Sequence, residues 1–305
     1  MRYSTASGSE YYHDSICMQK YFSLLLIFVL LSLSCGKPKP RTPRVITPTV
    51  HALRRETKQL PFKIGEKLTY ELRFTRFPIS TTAGNVVFEC VGITAQPTIP
   101  QIEFKPSPND KILHLRATIT SKGFLLKIFN LSVNDRFETL VDAKDFKLRA
   151  MLRENEESKR HTLQTGIFDY EKQIANFRFT DLNKSENPPR EKSPKLEPEM
   201  QDLLSAFYLM RLQEAREGSI YKLPLMYEGE RRDFEIEVHG REEIQTDLGK
   251  FKTIIVEPKL FGPGRLSSRE GEFFMWVTDD AQKTPVKFAV KSSGATITAT
   301  LMKKE

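Results

Sequence analysis

The chain has 305 residues, 39% hydrophobic and 28% charged, which excludes a wholly disordered polymer and a protein of many membrane spans. Three cysteines are too few for a disulfide framework or a cysteine-rich zinc site. The net charge of +8 is concentrated: residues 36–60 hold seven bases against one acid, residues 1–34 balance to zero, and 61–305 keep only +2. A nucleic-acid-binding body carries its basic surplus on the folded surface, so nucleic acid is not an expected partner.

Residues 21–33 form an apolar run of thirteen, Tyr-Phe-Ser-Leu-Leu-Leu-Ile-Phe-Val-Leu-Leu-Ser-Leu, with Lys20 as its positive flank. A bilayer span needs roughly 20 residues, so the run suits the core of a secretory signal instead. Residues 1–34 therefore read as a signal peptide, and the long polar stretch before Met18 suggests that Met18 is the true start. The run ends in Leu31-Ser32-Leu33-Ser34-Cys35-Gly36, which resembles a bacterial lipobox, with Ser32 where leucine is usual. The resemblance implies that Cys35 is the lipid-attachment residue and the mature N-terminus. The alternative is an ordinary signal peptide, or a signal anchor, with an incidental cysteine. Acyl chains at about 0.8 kcal/mol per buried methylene hold a soluble body on a bilayer almost irreversibly when two or three act together.

Residues 35–60 read as a basic, proline-rich tether that stays extended with little to bury. Its bases either lie along anionic headgroups or simply solubilise it. Gly36 after the cysteine, by analogy with sorting in enteric bacteria, favours the outer over the inner membrane. The expected location is the cell envelope, lipid-anchored and facing the periplasm.

From about residue 62 the pattern takes period two, the mark of strands buried on one face. Leu68, Tyr70, Leu72 and Phe74 alternate with polar residues, and Phe77-Pro78 ends the strand. A turn at Thr82-Ala83-Gly84-Asn85 is expected to lead into a strand at 86–91. Further strands fall at 113–119, 133–142, 146–154, 160–169 and 172–180, then at 234–238, 250–258, 271–278, 285–291 and 295–302. Short turns between them call for a largely antiparallel sheet. Residues 94–110, with four prolines, read as a surface loop, and residues 181–198 as a mobile polar insertion.

One helix is expected over 199–216, with Pro198 at its first position, Glu199 and Asp202 against its dipole and Gly218 as its stop. Its broad apolar face includes Leu203, Leu204, Phe207 and Met210, with Tyr208 and Leu212 on a flank. The sheet is the only partner large enough to cover that face. The expected fold is mainly β: a large curved antiparallel sheet, a half-barrel or incompletely closed barrel, wrapped around one central helix in a single domain over 61–305. Two sequential β-domains divided at 181–198 are the alternative.

Gly65-Glu66-Lys67-Leu68-Thr69-Tyr70 with Ala83-Gly84, the helix Asp202–Arg211 with Gly218, Thr246–Pro258, Trp276–Asp280 with Pro285-Val286, and Gly294–Leu301 occur in an order similar to the bacterial domain of unknown function numbered 3108. The resemblance covers about 62–302. It implies envelope proteins, often with signal peptides, and offers no catalytic residue. The lipoprotein-carrier half-barrel is an architectural analogy only.

No constellation for chemistry emerges from the residues. His114, His161 and His239 are far apart, and His239-Gly-Arg-Glu-Glu243 lacks the second histidine four residues along a helix that a zinc protease motif needs. Asp279-Asp280 reads as a turn, because neighbours in a strand point to opposite faces. Ser205 lies in no strained elbow, and Cys90 reads as a buried inert thiol. Neither a metal nor a cofactor is expected. The leading expectation is a non-enzymatic envelope lipoprotein that binds an apolar ligand or an envelope partner, with Leu203, Phe207, Met210, Phe274 and Trp276 as ligand-contact candidates. For Phe274 and Trp276 a plain core role is the competing reading. A scaffold subunit of an envelope complex is the alternative, and a hydrolase using Glu270, Asp279 and Asp280 a more distant one.

Overall fold

The computed structural model describes residues 49–51, 60–95, 97, 99–107, 109–123 and 132–305. The signal peptide, Cys35 and most of the tether lie outside them. Eight strands follow one another through the first part of the body: β1 (Thr49–His51), β2 (Lys67–Arg76), β3 (Ile79–Thr94), β4 (Ile112–Ser121), β5 (Asn134–Asp142), β6 (Leu148–Glu157), β7 (Arg160–Asp169) and β8 (Ile174–Asp181). After β9 (Arg190–Lys192) comes helix α1 (Leu203–Met210), and then β10 (Ser219–Tyr227), β11 (Glu230–Thr246), β12 (Gly249–Pro258), β13 (Glu272–Thr278), β14 (Pro285–Ser292) and β15 (Ala295–Lys304).

All fifteen strands belong to one sheet in the order β1-β10-β11-β12-β13-β14-β15-β2-β3-β4-β5-β6-β7-β8-β9. Every ladder is antiparallel except β1 on β10. Two meanders, β2–β9 and β10–β15, are joined by the β15–β2 ladder, so the last strand lies beside the first long one. One sheet through both halves removes the two-domain alternative.

Among the described residues no ladder joins β9 to β10, and the sheet is an incompletely closed barrel. The gap forms a seam crossed by a few contacts. Gln201 bridges Leu225, with its N–H on the Pro224 carbonyl (3.1 Å) and its carbonyl taking the Met226 N–H (2.7 Å). Lys192 Nζ reaches the Glu228 carbonyl (3.3 Å) and the Glu230 carboxylate (3.1 Å).

Helix α1 sits on the concave side. Phe207 stacks on Phe88 of β3, with ring centroids 4.4 Å apart, and both rings touch each of the two main core clusters. The helix has eight residues, shorter than the expected 199–216. Its N-cap is Asp202 in a capping box with Ser205, because Gln201 is still held extended by β10. Pro198 therefore lies before the helix, and Ser205 is a capping residue of its first turn. At the other end Arg211, Leu212 and Gln213 N–H groups bond three residues back, and the Gln213 side-chain amide donates to the Leu209 carbonyl (2.8 Å).

Several other expectations differ from the structure. The expected turn at 82–85 is inside β3: Leu72 pairs with Gly84 and Arg73 with Thr82, leaving Ala83 as a bulge, while the reversal occurs at Phe77-Pro78. Within residues 181–198, expected as a mobile polar insertion, β9 pairs with β8 and Lys195 bridges Ile174. The 94–110 loop packs Ile99 and Ile102 on the outer face of β4–β6, against Ile112, Leu140, Ala150 and Leu152. The tether gives up Thr49–His51 to the free edge of β10. Strand β10 itself escapes the alternation reading because Pro224 interrupts it, although Tyr221, Leu223, Leu225 and Tyr227 alternate inward. Proline is tolerated where the neighbouring edge needs only a carbonyl.

Candidate functional site

The interior surface that faces α1 is the natural place for a ligand. Leu203, Phe207 and Met210 all lie there, packed against the strands. Phe274 does not join them, and Trp276 reaches the same cluster only as a half-buried side chain at its margin. Met275 and Val277 point to the core, so the alternation of β13 puts Phe274 and Trp276 on the outer face. Lys287 Nζ lies 4.8 Å over the Trp276 ring, Lys291 Nζ 5.7 Å over Phe274, and Trp276 Nε1 donates to Glu242 (3.0 Å).

Two cavities adjoin the helix. One of about 30 Å³ is bordered by Arg153, Gln164, Leu203, Met226 and Tyr227, and another of about 10 Å³ by Met210, Tyr221, Val256 and Met275. A water needs roughly 10–15 Å³, whereas pockets for small organic ligands begin near 300 Å³. At these two places the concave face has room for a water or two. Around them, side chains of the helix and of the strands pack together in the two main core clusters.

The concave face also has a polar end. Asp135 of β5 and Asn155 and Glu157 of β6 are 1%, 3% and 2% exposed, and Arg153 and Gln164 are buried beside them. Arg153 Nε donates to Asn155 Oδ1 (2.8 Å), and its Nη1 lies 3.7 Å from the Glu228 carboxylate in the β10–β11 turn. Its guanidinium also lies over the Tyr227 ring, 5.3 Å from the centroid. Asp135 Oδ2 and both Glu157 carboxylate oxygens receive no hydrogen bond. Burial pushes the Asp135 carboxyl up to about 6, against the pull of Asn155 and Arg153. Burial, reinforced by the Asp135 charge, pushes Glu157 up to about 7.

Sequence reasoning missed this group. Val141 pairs with Leu148 and Leu140 with Ala150, so Arg149 is an extra residue that reverses the facing of β6. Extending the alternation from Leu148 without that bulge places Arg153, Asn155 and Glu157 outside.

Two further buried polar sites tie elements together. Arg211, just past α1, makes a two-pronged pair with Glu66 (Nη2 to Oε2, 3.1 Å) and donates twice to the Gln282 carbonyl. Asp202 accepts from Thr139 and from the Ser205 N–H (2.7 Å), while burial pushes its carboxyl up against those bonds.

The histidines are spread over separate sites, each against a carboxylate. His114 bonds Glu138 (2.5 Å), His161 bonds Glu154 (2.9 Å) and His239 bonds Glu257 (2.8 Å). Burial raises the Glu138 carboxyl, but the His114 bond with the Arg116 and Arg136 charges outweighs it and holds the group low. Glu237, His239 and Glu257 present donor atoms within 4.8 Å of one another, as a metal site does. The Lys259 ammonium sits among them, 2.8 Å from Glu237 and 2.6 Å from Glu257, and supplies the positive charge itself. Asp279 pairs with Arg241 (2.7 Å), and Asp280 Oδ1 takes the Gln282 and Lys283 N–H groups of the β13–β14 turn. Glu270 lies at the other end of β13 from this pair, so the three acids do not converge. Cys90 is fully buried in β3, and burial, with Glu66 nearby, pushes its thiol up to about 11.

The fold defines a mainly-β protein whose single sheet curves around one short helix without closing. The chain belongs to the DUF3108 family of proteins of unknown function, whose model matches residues 69–302. No curated protein matches the sequence. Among solved structures, a β-barrel-like protein of the DUF1849 family from Brucella abortus is similar at a TM-score of 0.49 and 11% identity, over 79% of this chain and 97% of that one. An exported-type protein with a YmcC-like fold from Bacteroides fragilis follows at 0.34 and 9%, over 81% and 98% of the two chains. A lipoprotein-type protein from Parabacteroides distasonis stands at 0.29 and 8%, over 81% and 97%.

Proposed function

We propose that this is a non-enzymatic cell-envelope lipoprotein, acylated on Cys35, whose β body serves as a scaffold for an envelope partner. The observation that favours the scaffold reading over the apolar-carrier reading is the small size of the two cavities beside α1, about 30 and 10 Å³. The histidines and the Asp279-Asp280 pair engaged in hydrogen bonds or ion pairs support the non-enzymatic part. The anchor reading rests on the Leu31–Gly36 segment and the basic tether behind it. Facing the periplasm from the outer membrane is the orientation favoured by Gly36.

The test is made on protein extracted from labelled cells. Incorporation of radiolabelled palmitate that disappears in Cys35→Ser is the expected result for the anchor, and its absence refutes it. Native mass spectrometry of the same preparation is expected to give the mass of the acylated chain alone. A stoichiometric, non-covalent lipid that survives purification overturns the scaffold reading in favour of a carrier.

A further inference from the structure

The acids at the polar end of the concave face are placed in a way that the scaffold role does not require. Arg136 pairs with Glu154 and Val133 bridges Glu157, which sets Asp135 across from Asn155 and diagonal to Glu157 on the inward face. Asp135 Oδ1 takes the Glu156 N–H (3.1 Å), so its second oxygen is the one left over. That oxygen and both oxygens of Glu157 are shielded from solvent without a hydrogen bond; the Asn155 amide Nδ2, across from Asp135, is also unpartnered but can serve only the Asp135 oxygen. Two buried carboxyl groups at diagonal positions of one face, with three oxygens unsatisfied, call for a compensating positive species.

The surrounding charges select which species. Arg153 on β6 serves Asn155 and approaches Glu228 from the β10–β11 turn, where Tyr227 also faces it. Arg160 on β7 holds Nη1 3.9 Å from Glu157 Oε2. On β8, Asp181 lies across from Thr162 and caps the short helical turn at Leu182–Lys184. Counting Asp135, Glu157 and Glu228 against Arg153 and Arg160 leaves one negative charge. A proton restores neutrality, and a divalent metal ion overshoots it.

We propose that Asp135 and Glu157 share one proton, and that its loss draws Arg153 away from Glu228 and loosens the seam between β6 and the β10–β11 turn. Arg153 is the pivot because it lies on the same inward face as the acid pair, bonds the Asn155 that stands across from Asp135, and has its guanidinium 3.7 Å from Glu228. With the proton in place the pair carries a single charge, and Arg153 is available to Glu228. Without it, two like charges stand together in a dry site and compete for that guanidinium. Among the described residues the polar ties across the seam nearby are the Lys192 contacts, the Gln201–Leu225 bridge and the Arg231–Glu197 ion pair, so a change in one ion pair is felt at this end of the sheet.

The test uses the full mature chain. Infrared difference spectra on raising the pH from about 6 to about 8.5 are expected to show loss of an un-ionised carboxylic acid carbonyl band, absent in Glu157→Gln. Amide hydrogen exchange at residues 225–230, corrected for its intrinsic pH dependence, is expected to speed up about tenfold over the same range in the wild type. In the Asp135→Asn/Glu157→Gln double variant, which keeps the side-chain shapes, it is expected to stay level. A wild type with no such band, or with level corrected exchange, overturns the proposal. Millimolar calcium that raises the melting temperature of the wild type and not of Glu157→Gln also overturns it, because a metal then holds the pair.

Discussion

Removing Arg211 tests the reading of the interior most sharply. Its side chain runs from the end of α1 to the start of the body at Glu66 and to the β13–β14 turn at Gln282. Arg211 is 2% exposed and Glu66 4%, so neither end of the pair can turn to water. In Arg211→Met the Glu66 carboxylate keeps its burial and loses both donated bonds, and the Gln282 carbonyl loses two donors. Breaking one side of a buried pair costs about 3–5 kcal/mol, mainly because the remaining charge is uncompensated. The double variant Glu66→Leu/Arg211→Met removes that charge, and is expected to recover more than half of the loss. Urea unfolding, followed by circular dichroism and analysed at constant slope, measures all three variants. A single-variant loss below about 1 kcal/mol, or a double variant no more stable than Arg211→Met, refutes the argument that desolvation of Glu66 dominates.

Other expectations follow from single positions. A Cβ added at Gly84 meets the Thr120 carbonyl oxygen at 2.2 Å, while one at Gly92 meets nothing within 4 Å. Gly84→Ala is therefore expected to lose about 2–3 kcal/mol and Gly92→Ala to stay within about 0.5 kcal/mol, by the same urea assay, and equal losses would contradict the packing at the β3 bulge. Asp135 and Glu157 bind protons in the folded state that the unfolded chain has released, since both carboxyls are raised, to about 6 and about 7. Their stabilising contribution is complete below the ordinary carboxylate range and is lost as pH rises through those values, so the urea midpoint falls on that side and Glu157→Gln flattens the fall. Cys90, buried with its thiol raised to about 11, is expected to resist a thiol reagent at neutral pH until the chain is unfolded, and rapid labelling of the native protein would show that β3 opens.

The strands were legible because one face of each is buried: Leu68, Tyr70, Leu72 and Phe74 give away β2, and Phe234, Ile236 and Val238 give away β11. What local pattern does not carry is where a residue is left over. The extra Ala83 reads as a turn, and the extra Arg149 hides the charged inner face of β6, although each is a bulge whose only trace is in the pairing with the next strand. The helix was overextended for a similar reason. Apolar spacing continues past Met210, but Arg211 is claimed by Glu66 and Gln201 by β10, both distant in the chain. Of the ligand-contact candidates, the three on α1 follow from the helix's own periodicity, whereas the facing of Phe274 and Trp276 depends on which side of β13 the sheet curves toward.

The pairing of β15 with β2 has a bearing on how the molecule comes into being. The main-chain groups of Lys67 and Glu305 bond to each other, so the edge of the first long strand is covered only by the strand furthest from it in the chain. Until β15 is in place, no ladder among the described residues joins the two meanders into one sheet. Such long-range closure makes for slow acquisition of the native state.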